Sequence, residues 1–326
     1  MTPVTKKIFL TGASGFLGSH FIADAINHNY KIYALTRKKG NICLNAGYNH
    51  IEVLEGDINN IEKFAAILSE CNYFIHVAGE KSDESKMEDV NVTSLTKILS
   101  VLKDVPEIKM IYISSCGVYG IENYPDTILT EDGACFPNNI YEKTKLDAEK
   151  YLIKFAENNS IQYIILRPSN VIGENDQSFK LLNFMKSLKK GLFFYIDKNT
   201  LVNYVYVKYV TSVMFHFLDL NRFTNEVYNV NSSMPLNEMI EILKHELNIV
   251  KKTLRIPYAL LYPMALLFDI LPQQFQIFNS QKYFALTNKK IYSTKKLNSE
   301  FENDESTSLR TGLKNLVFSY KEKNRI

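Results

Sequence analysis

The sequence is short of net charge, of cysteine and of any leader-like apolar run, and each shortage narrows its class. Across 326 residues, 38 lysines and arginines oppose 35 aspartates and glutamates, leaving a net charge of +3. So balanced a chain, with no long basic block, is not expected to take a nucleic-acid partner. Its cysteines, Cys43, Cys71, Cys116 and Cys135, form no C-x-x-C pair. They read neither as a disulfide framework nor as a metal-ligand set, so reduced thiols and no metal are expected. The first residues, MTPVTKKIFLTG, pass almost directly into a strand. No cleavable apolar segment is visible there, and a soluble, cytoplasmic protein is expected. Repeats and low-complexity linkers are also missing.

One apolar run stands out, IPYALLYPMALLFDILP from Ile256 to Pro272, interrupted by Pro257, Pro263 and Asp269. A covered helix of a substrate lobe accounts for it without an integral membrane span, and contact with a membrane surface is the alternative.

What is present is a chain able to bury a sizeable core, 46% hydrophobic and 22% charged. Residues 1–175 alternate β-branched runs with amphipathic segments. Strands are expected at KIFLTG, KIYALTR, HIEVLEGD, YFIHVAG, KMIYISS and IQYIILRP. Helices are expected at GSHFIADAINH, INNIEKFAAILSE, Asn91 to Leu102 and NIYEKTKLDAEKYLIKFAEN. That rhythm implies a doubly wound parallel α/β sheet of the Rossmann type, a dinucleotide-binding domain. From residue 176 to 326 the rhythm loosens, with helical spacing at Ser178–Lys190, Val207–Asp219 and Leu236–Leu247. A smaller, mainly helical substrate-binding lobe is expected there, interleaved with the last sheet strands.

TGASGFLG, from Thr11 to Gly18, spaces Gly12, Gly15 and Gly18 as G-x-x-G-x-x-G between an expected strand and an expected helix. In that setting the glycines let the backbone approach a pyrophosphate, and the helix start offers it free N–H groups. At the end of the second strand Thr36 stands where an acid would hold a 2′-hydroxyl, and Arg37 follows. A guanidinium suits a 2′-phosphate, so NADP is favoured over NAD. Asp57, in Gly56-Asp57-Ile58, is either an adenine contact or an ordinary helix cap.

Tyr141 and Lys145 lie at i and i+4 on one expected helix and so share a face. An ammonium beside a phenol favours its ionised form, which suits proton transfer during carbonyl reduction. Ser115, in ISSCGVYG, sits at the carboxyl end of the fifth strand, where such sheets bind ligands. Each signal alone is weak, and it is their order along one chain that points to hydride transfer at an alcohol carbon.

These residues resemble the extended short-chain dehydrogenase/reductase family, the NAD-dependent epimerases and dehydratases of nucleotide sugars, over nearly the whole chain. The resemblance rests on TGASGFLG, GDI, HVAGEK (His76 to Lys81), Asn91, SSCGVYG, YEKTK, Arg167-Pro168-Ser169-Asn170-Val171-Ile172-Gly173 and the tail SLRTGLKNLVFSY. It implies Ser115, Tyr141 and Lys145 as catalytic. It implies a dinucleotide held by Gly12, Gly15, Phe16, Leu17, Gly18, Thr36, Arg37, Asp57, Ile58, Val77, Ala78, Gly79, Lys81, Asn91, Ser114, Tyr141, Lys145 and Pro168. Lys81, Ser115, Cys116 and Asn170 would face the substrate. The implied reaction is 4-keto reduction or C4 epimerisation of a nucleoside-diphosphate sugar by a homodimer serving polysaccharide synthesis. Reduction of a sterol- or flavonoid-like ketone, and non-catalytic NADP binding, are the alternatives.

The chain also departs from the family. Cys116 and Gly117 stand where dehydratases carry acids, so dehydration is not expected. Val202 and Tyr209 replace a common arginine and aspartate, and Arg222, Lys252, Arg255 and Lys289 are candidate replacements at the diphosphate.

Overall fold

The computed structural model describes residues 5–42, 49–120, 128–176, 178–195, 200–251, 254–255, 258–270, 279–280, 283, 287, 289–302 and 304–326. Cys43 and Lys252 lie outside them, as do Ile256, Pro257, Leu271 and Pro272 of the apolar run.

Seven strands make one parallel sheet. They are β1 (Lys6–Thr11), β2 (Tyr30–Thr36), β3 (Ile51–Glu55), β4 (Tyr73–His76), β5 (Lys109–Ile113), β7 (Gln162–Pro168) and β11 (Glu226–Val230). Their order is β11-β7-β5-β4-β1-β2-β3. Successive residues of a strand point to opposite faces, and here both faces are apolar. In β1, Ile8 and Leu10 enter one core cluster while Phe9 enters the other. Runs that are apolar on both faces are what a sheet covered by helices on two sides demands. β1 is where the order reverses, with β2 on one side and β4 on the other, and this is the crevice where open α/β sheets bind ligands.

Helices α1 (Phe16–Asp24) and α7 (Val207–Asp219) cover one face, and Phe21 stacks on Phe215 at 4.4 Å. The other face is covered by α4 (Ser94–Leu102) and α5 (Ile140–Asn159), through Leu95, Ile98, Leu99, Leu152 and Ala156. Strand β11 and helix α7 thus come from beyond residue 175 and complete the sheet and its α1 side. A third apolar cluster joins α6 (Phe179–Lys190), α8 (Leu236–Glu246) and the C-terminal helix Leu309–Glu322. It lies against the small sheet formed by β8 (Asn170–Ile172), β10 (Leu201–Tyr206) and β12 (Ser232–Pro235).

Local structure departs from the spacing in two places. The segment expected as one helix from Ile58 is a 3-10 turn through Phe64 followed by α2 (Ala65–Leu68), with Asn60 off helical geometry. The chain entering α4 is α3 (Glu84–Glu88) and then a π-helical turn, Asp89–Thr93. π-turns insert one extra residue and recur at functional sites. This one carries Asn91.

A buried ion pair ties α5 to the sheet. Arg167 of β7 donates to both carboxylate oxygens of Glu149 on α5, its Nη2 at 2.6 Å, and its Nη1 donates to the Tyr119 hydroxyl at 2.8 Å. The Tyr119 hydroxyl in turn donates to Asn229 of β11 at 2.9 Å. Arg167 and Glu149 are 5% and 1% exposed, so neither has water as an alternative partner. Removing one partner strands a buried charge. Glu149→Ala is therefore expected to lower the unfolding free energy by about 3–5 kcal/mol in urea titrations. The paired change Glu149→Leu with Arg167→Met should recover most of that loss.

Candidate active site

The glycine loop closes on itself through Gly15 N–H donating to the Gly12 carbonyl at 2.9 Å. Gly12 has φ +70°, and a side chain there would meet the Ala78 amide at 2.5 Å. The loop thus abuts the end of β4 at the switch point. A side chain on Gly18 would strike the Gly12 carbonyl at 2.2 Å, so the start of α1 packs directly onto the loop. Gly15 caps α1 without a side-chain hydrogen bond, which leaves the first amides of the helix to an anion. Phe16 is half-buried and Leu17 buried in the core beneath. At the far end of the crevice Thr36 is buried, its hydroxyl donating to Ser14 Oγ at 3.1 Å, while Arg37 is exposed. Arg37 lies near Lys86 of α3, whose pKa is raised by its hydrogen bond with Asp83, Arg37 opposing the rise. Asp57 caps the 3-10 turn by accepting from Asn59 N–H at 2.8 Å, and Ile58 beside it is half-buried.

Above β4, Val77 and Ala78 are half-buried and Gly79 is exposed. Asn91 braces this loop. Its side-chain oxygen accepts from Glu80 N–H at 2.8 Å, and its amide donates to the Glu80 carbonyl and to Thr144 of α5. The Glu80 carboxylate accepts from the amides of residues 81, 82 and 83, which hold it below the usual carboxylate range. Lys81 is exposed.

On α5, Asn139 caps the first turn through Glu142 N–H. Tyr141, Lys145 and Glu149 follow at four-residue steps along one face. The Lys145 ammonium is buried and donates to the Ile113 carbonyl at 2.9 Å, over the ring of Tyr112. A side chain on Gly79 would come within 3.2 Å of it, so this ammonium stands against the β4 loop. Burial lowers its pKa to about 8, opposed by Glu149. Burial raises the Tyr141 phenol to about 12; Glu142 adds to the rise, and a hydrogen bond with Ser115 opposes it. Ser115 and Tyr141 therefore meet. The expected lowering of the phenol by Lys145 is not part of this balance: with a pKa of about 8 the ammonium gives up its proton before the phenol does.

Ser115 Oγ also accepts from Gly117 N–H at 3.0 Å. A side chain on Gly117 would strike Glu142 at 2.9 Å, so the position a dehydratase acid would take has no room for one. Ser114 is 3% exposed, and its hydroxyl has no partner among the described residues. A buried hydroxyl left open at the carboxyl end of β5 fits a bound polar group such as a ribose. Pro168 ends β7, buried.

The remaining expected residues scatter. Cys116, expected at the substrate, is buried and directs its thiol to the Arg167 carbonyl at 3.0 Å; packing occupies it. Asn170 is exposed on β8 and donates to the Asn203 carbonyl at 3.2 Å. Arg222 pairs with Glu300 just before β11, at the amino end of the strands and so on the edge opposite the loop. Tyr209 is buried beside Phe301, and Val202 packs in the lobe core. Lys289 precedes β14 (Ile291–Tyr292), which pairs in parallel with β6 (Ile128–Leu129); the side chain of Arg255 is not among the described ones.

Sequence reasoning missed Lys290, which is fully buried and donates to the Gly120 carbonyl. Adjacent lysines in an extended segment face opposite sides, and composition does not tell which turns inward. It also missed a polar cluster around Asn203. Asn203 accepts from Asn231 at 3.1 Å and from Ser233 at 2.7 Å, and donates to the Lys290 carbonyl.

A parallel Rossmann sheet with a glycine loop at its switch point, and a Tyr–Lys helix beside a serine, defines an enzyme of the extended short-chain dehydrogenase/reductase class. Residues 8–231 match the NAD dependent epimerase/dehydratase family, and the chain belongs to it. The N-acetyl-alpha-D-glucosaminyl-diphospho-ditrans,octacis-undecaprenol 4-epimerase of Escherichia coli O157:H7 is 26% identical over 280 residues, 82% of this chain and 80% of its own. In fold the chain is similar to UDP-glucuronic acid 4-epimerase from Bacillus cereus in complex with NAD, with TM-score 0.75, 19% identity and 97% and 99% of the two chains covered. It is also similar to UDP-glucose 4-epimerase from Thermotoga maritima with UDP-glucose, with TM-score 0.73, 22% identity and 98% and 99% covered.

Lys145 sets a pH signature. Its folded pKa, about 8, lies below its unfolded value, so the folded state holds fewer protons between that pH and about 10.5. Stability attributable to Lys145 must then rise with pH through that window, by up to about 1.4 kcal/mol per unit. Urea unfolding of the wild type and of Lys145→Met, compared from pH 7.5 to 10 in the absence of dinucleotide, should show the gap shifting in the wild type's favour as pH rises.

Proposed function

We propose that this protein oxidises and reduces C4 of a nucleoside-diphosphate sugar, as a 4-epimerase or a 4-ketoreductase. The observation that carries the reading is the meeting of Tyr141 and Ser115 beside a buried Lys145 at the carboxyl edge of the sheet. Its support from the comparisons is that relatives and fold neighbours are named as sugar 4-epimerases.

The dinucleotide, when bound, supplies the hydride acceptor and donor. The amides at the start of α1, Phe16 and Leu17, would hold its pyrophosphate, and Lys145 with Ser114 would hold the nearer ribose. Ser115 donates to the substrate C4 oxygen. Tyr141 moves the proton at that same oxygen. With its pKa pushed up to about 12, the phenol stays protonated through the neutral range and is ready to donate, which suits the reductive direction. Acting as a base requires added positive charge near the phenol, and a protonated Lys145, one helical turn away, is the group to provide it. Tyr141→Phe removes the transferable proton and leaves the ring. Its kcat on the true substrate is expected to fall by about 10²–10⁴-fold, with dinucleotide binding retained in fluorescence titrations. Turnover near wild type would refute the assignment.

NADP is the proposed dinucleotide, because Thr36 is absorbed in local hydrogen bonds and Arg37 stands exposed at the adenosine end. Arg37→Ala should lower the NADP/NAD ratio of kcat/KM by roughly tenfold or more. An unchanged ratio, or NAD alone in the mass spectrum of the copurified dinucleotide, would point to NAD.

A further inference from the structure

Helix α9 (Tyr258–Asp269), the core of the apolar run, lies with its greasy side outward. Leu261 and Ala265 are buried, whereas Met264, Leu266 and Leu267 are exposed, and Ile270 just beyond is 82% exposed. Positions 264, 267 and 270 share one helical face. A helix of a globular protein turns its polar side to water, and no charged residue occurs between 261 and 268. The helix is too short to span a bilayer, and none among the described residues is long and apolar enough to do so.

Two further exposed apolar side chains flank the strands that precede α9 in the chain. Strands β9 (Phe194–Tyr195) and β13 (Leu254–Arg255) pair in parallel, and α9 begins three residues after β13. Leu192, just before β9, is 72% exposed, and Val250, shortly before β13, is 95% exposed. The two lie close together, because a side chain on Gly191 would touch that of Lys251 at 3.4 Å. Around them Lys186, Lys189, Lys190 and Lys251 are exposed. The acidic residue of α9, Asp269, accepts from Ser280 N–H at its far end.

Projecting aliphatic side chains beside a cluster of lysines match the chemistry of a bilayer surface, where apolar groups enter the acyl boundary and ammonium groups meet anionic headgroups. We propose that α9, with the edge formed by Leu192, Val250 and the lysines near them, docks this enzyme on an acidic phospholipid bilayer. The residues assigned to the site lie on β4, β5 and α5 and none on α9, so turnover of a dissolved substrate serves as the control.

Cosedimentation of the full chain with vesicles tests this. Vesicles of equal phosphatidylcholine and phosphatidylglycerol should bind the protein, pure phosphatidylcholine should bind it at least about tenfold less, and added salt should release it. Leu267→Glu with Ile270→Glu, and separately Lys189→Glu with Lys190→Glu, should each weaken binding at least about tenfold. Turnover of a freely dissolved substrate should stay unchanged. Failure to bind acidic vesicles, or binding unaffected by both variants, overturns the proposal. So does sedimentation velocity showing a dimer that Leu267→Glu with Ile270→Glu dissolves while vesicle binding is absent, since a second copy would then cover the face.

Discussion

The ion pair between Arg167 and Glu149 holds together everything the site needs. It spans the space between β7 and α5, and through Tyr119 and Asn229 it reaches the turn after Ser115 and strand β11. Glu149 is one helical turn beyond Lys145, and Lys145 one turn beyond Tyr141, so anchoring Glu149 fixes the rotation of the whole face. A buried pair of this kind contributes little net stability over an apolar substitute. What it supplies is geometry, because a guanidinium fork accepts a carboxylate from a narrow set of directions.

Much of the architecture was legible because its signals are local. Strands apolar on both faces announce a covered parallel sheet, and glycines between a strand and a helix announce the phosphate loop. Tyr141 and Lys145 announce a shared face through spacing alone. What escaped depends on distant partners. Nothing near Arg167 in sequence says that its partner is Glu149, and nothing near residue 226 says that β11 pairs with β7. The π-turn at Asn91 was invisible because one inserted residue hardly disturbs apolar spacing. Lys290 was missed in favour of its neighbour Lys289, since which of two adjacent lysines turns inward depends on how the strand is laid down.

The electrostatics divide Tyr141 and Lys145 in a way that the motif alone does not. Burial acts on both Tyr141 and Lys145 and favours the neutral form of each. The phenol climbs to about 12 and the ammonium falls to about 8. Such a site is quiet by default. His76, buried beneath with its pKa lowered to about 3 by burial, stays neutral and adds no competing charge.

The stacking of Phe21 on Phe215 has a consequence for how the chain is made. The two rings are 194 positions apart in sequence, 215 less 21. On a ribosome adding about 5–20 residues per second, the apolar side of α1 waits roughly 10–40 s for its cover. During that interval the nascent polypeptide exposes a sticky half-sheet, so slowed translation between these positions, or absence of a holding chaperone, should favour aggregation of a chain whose finished form is stable.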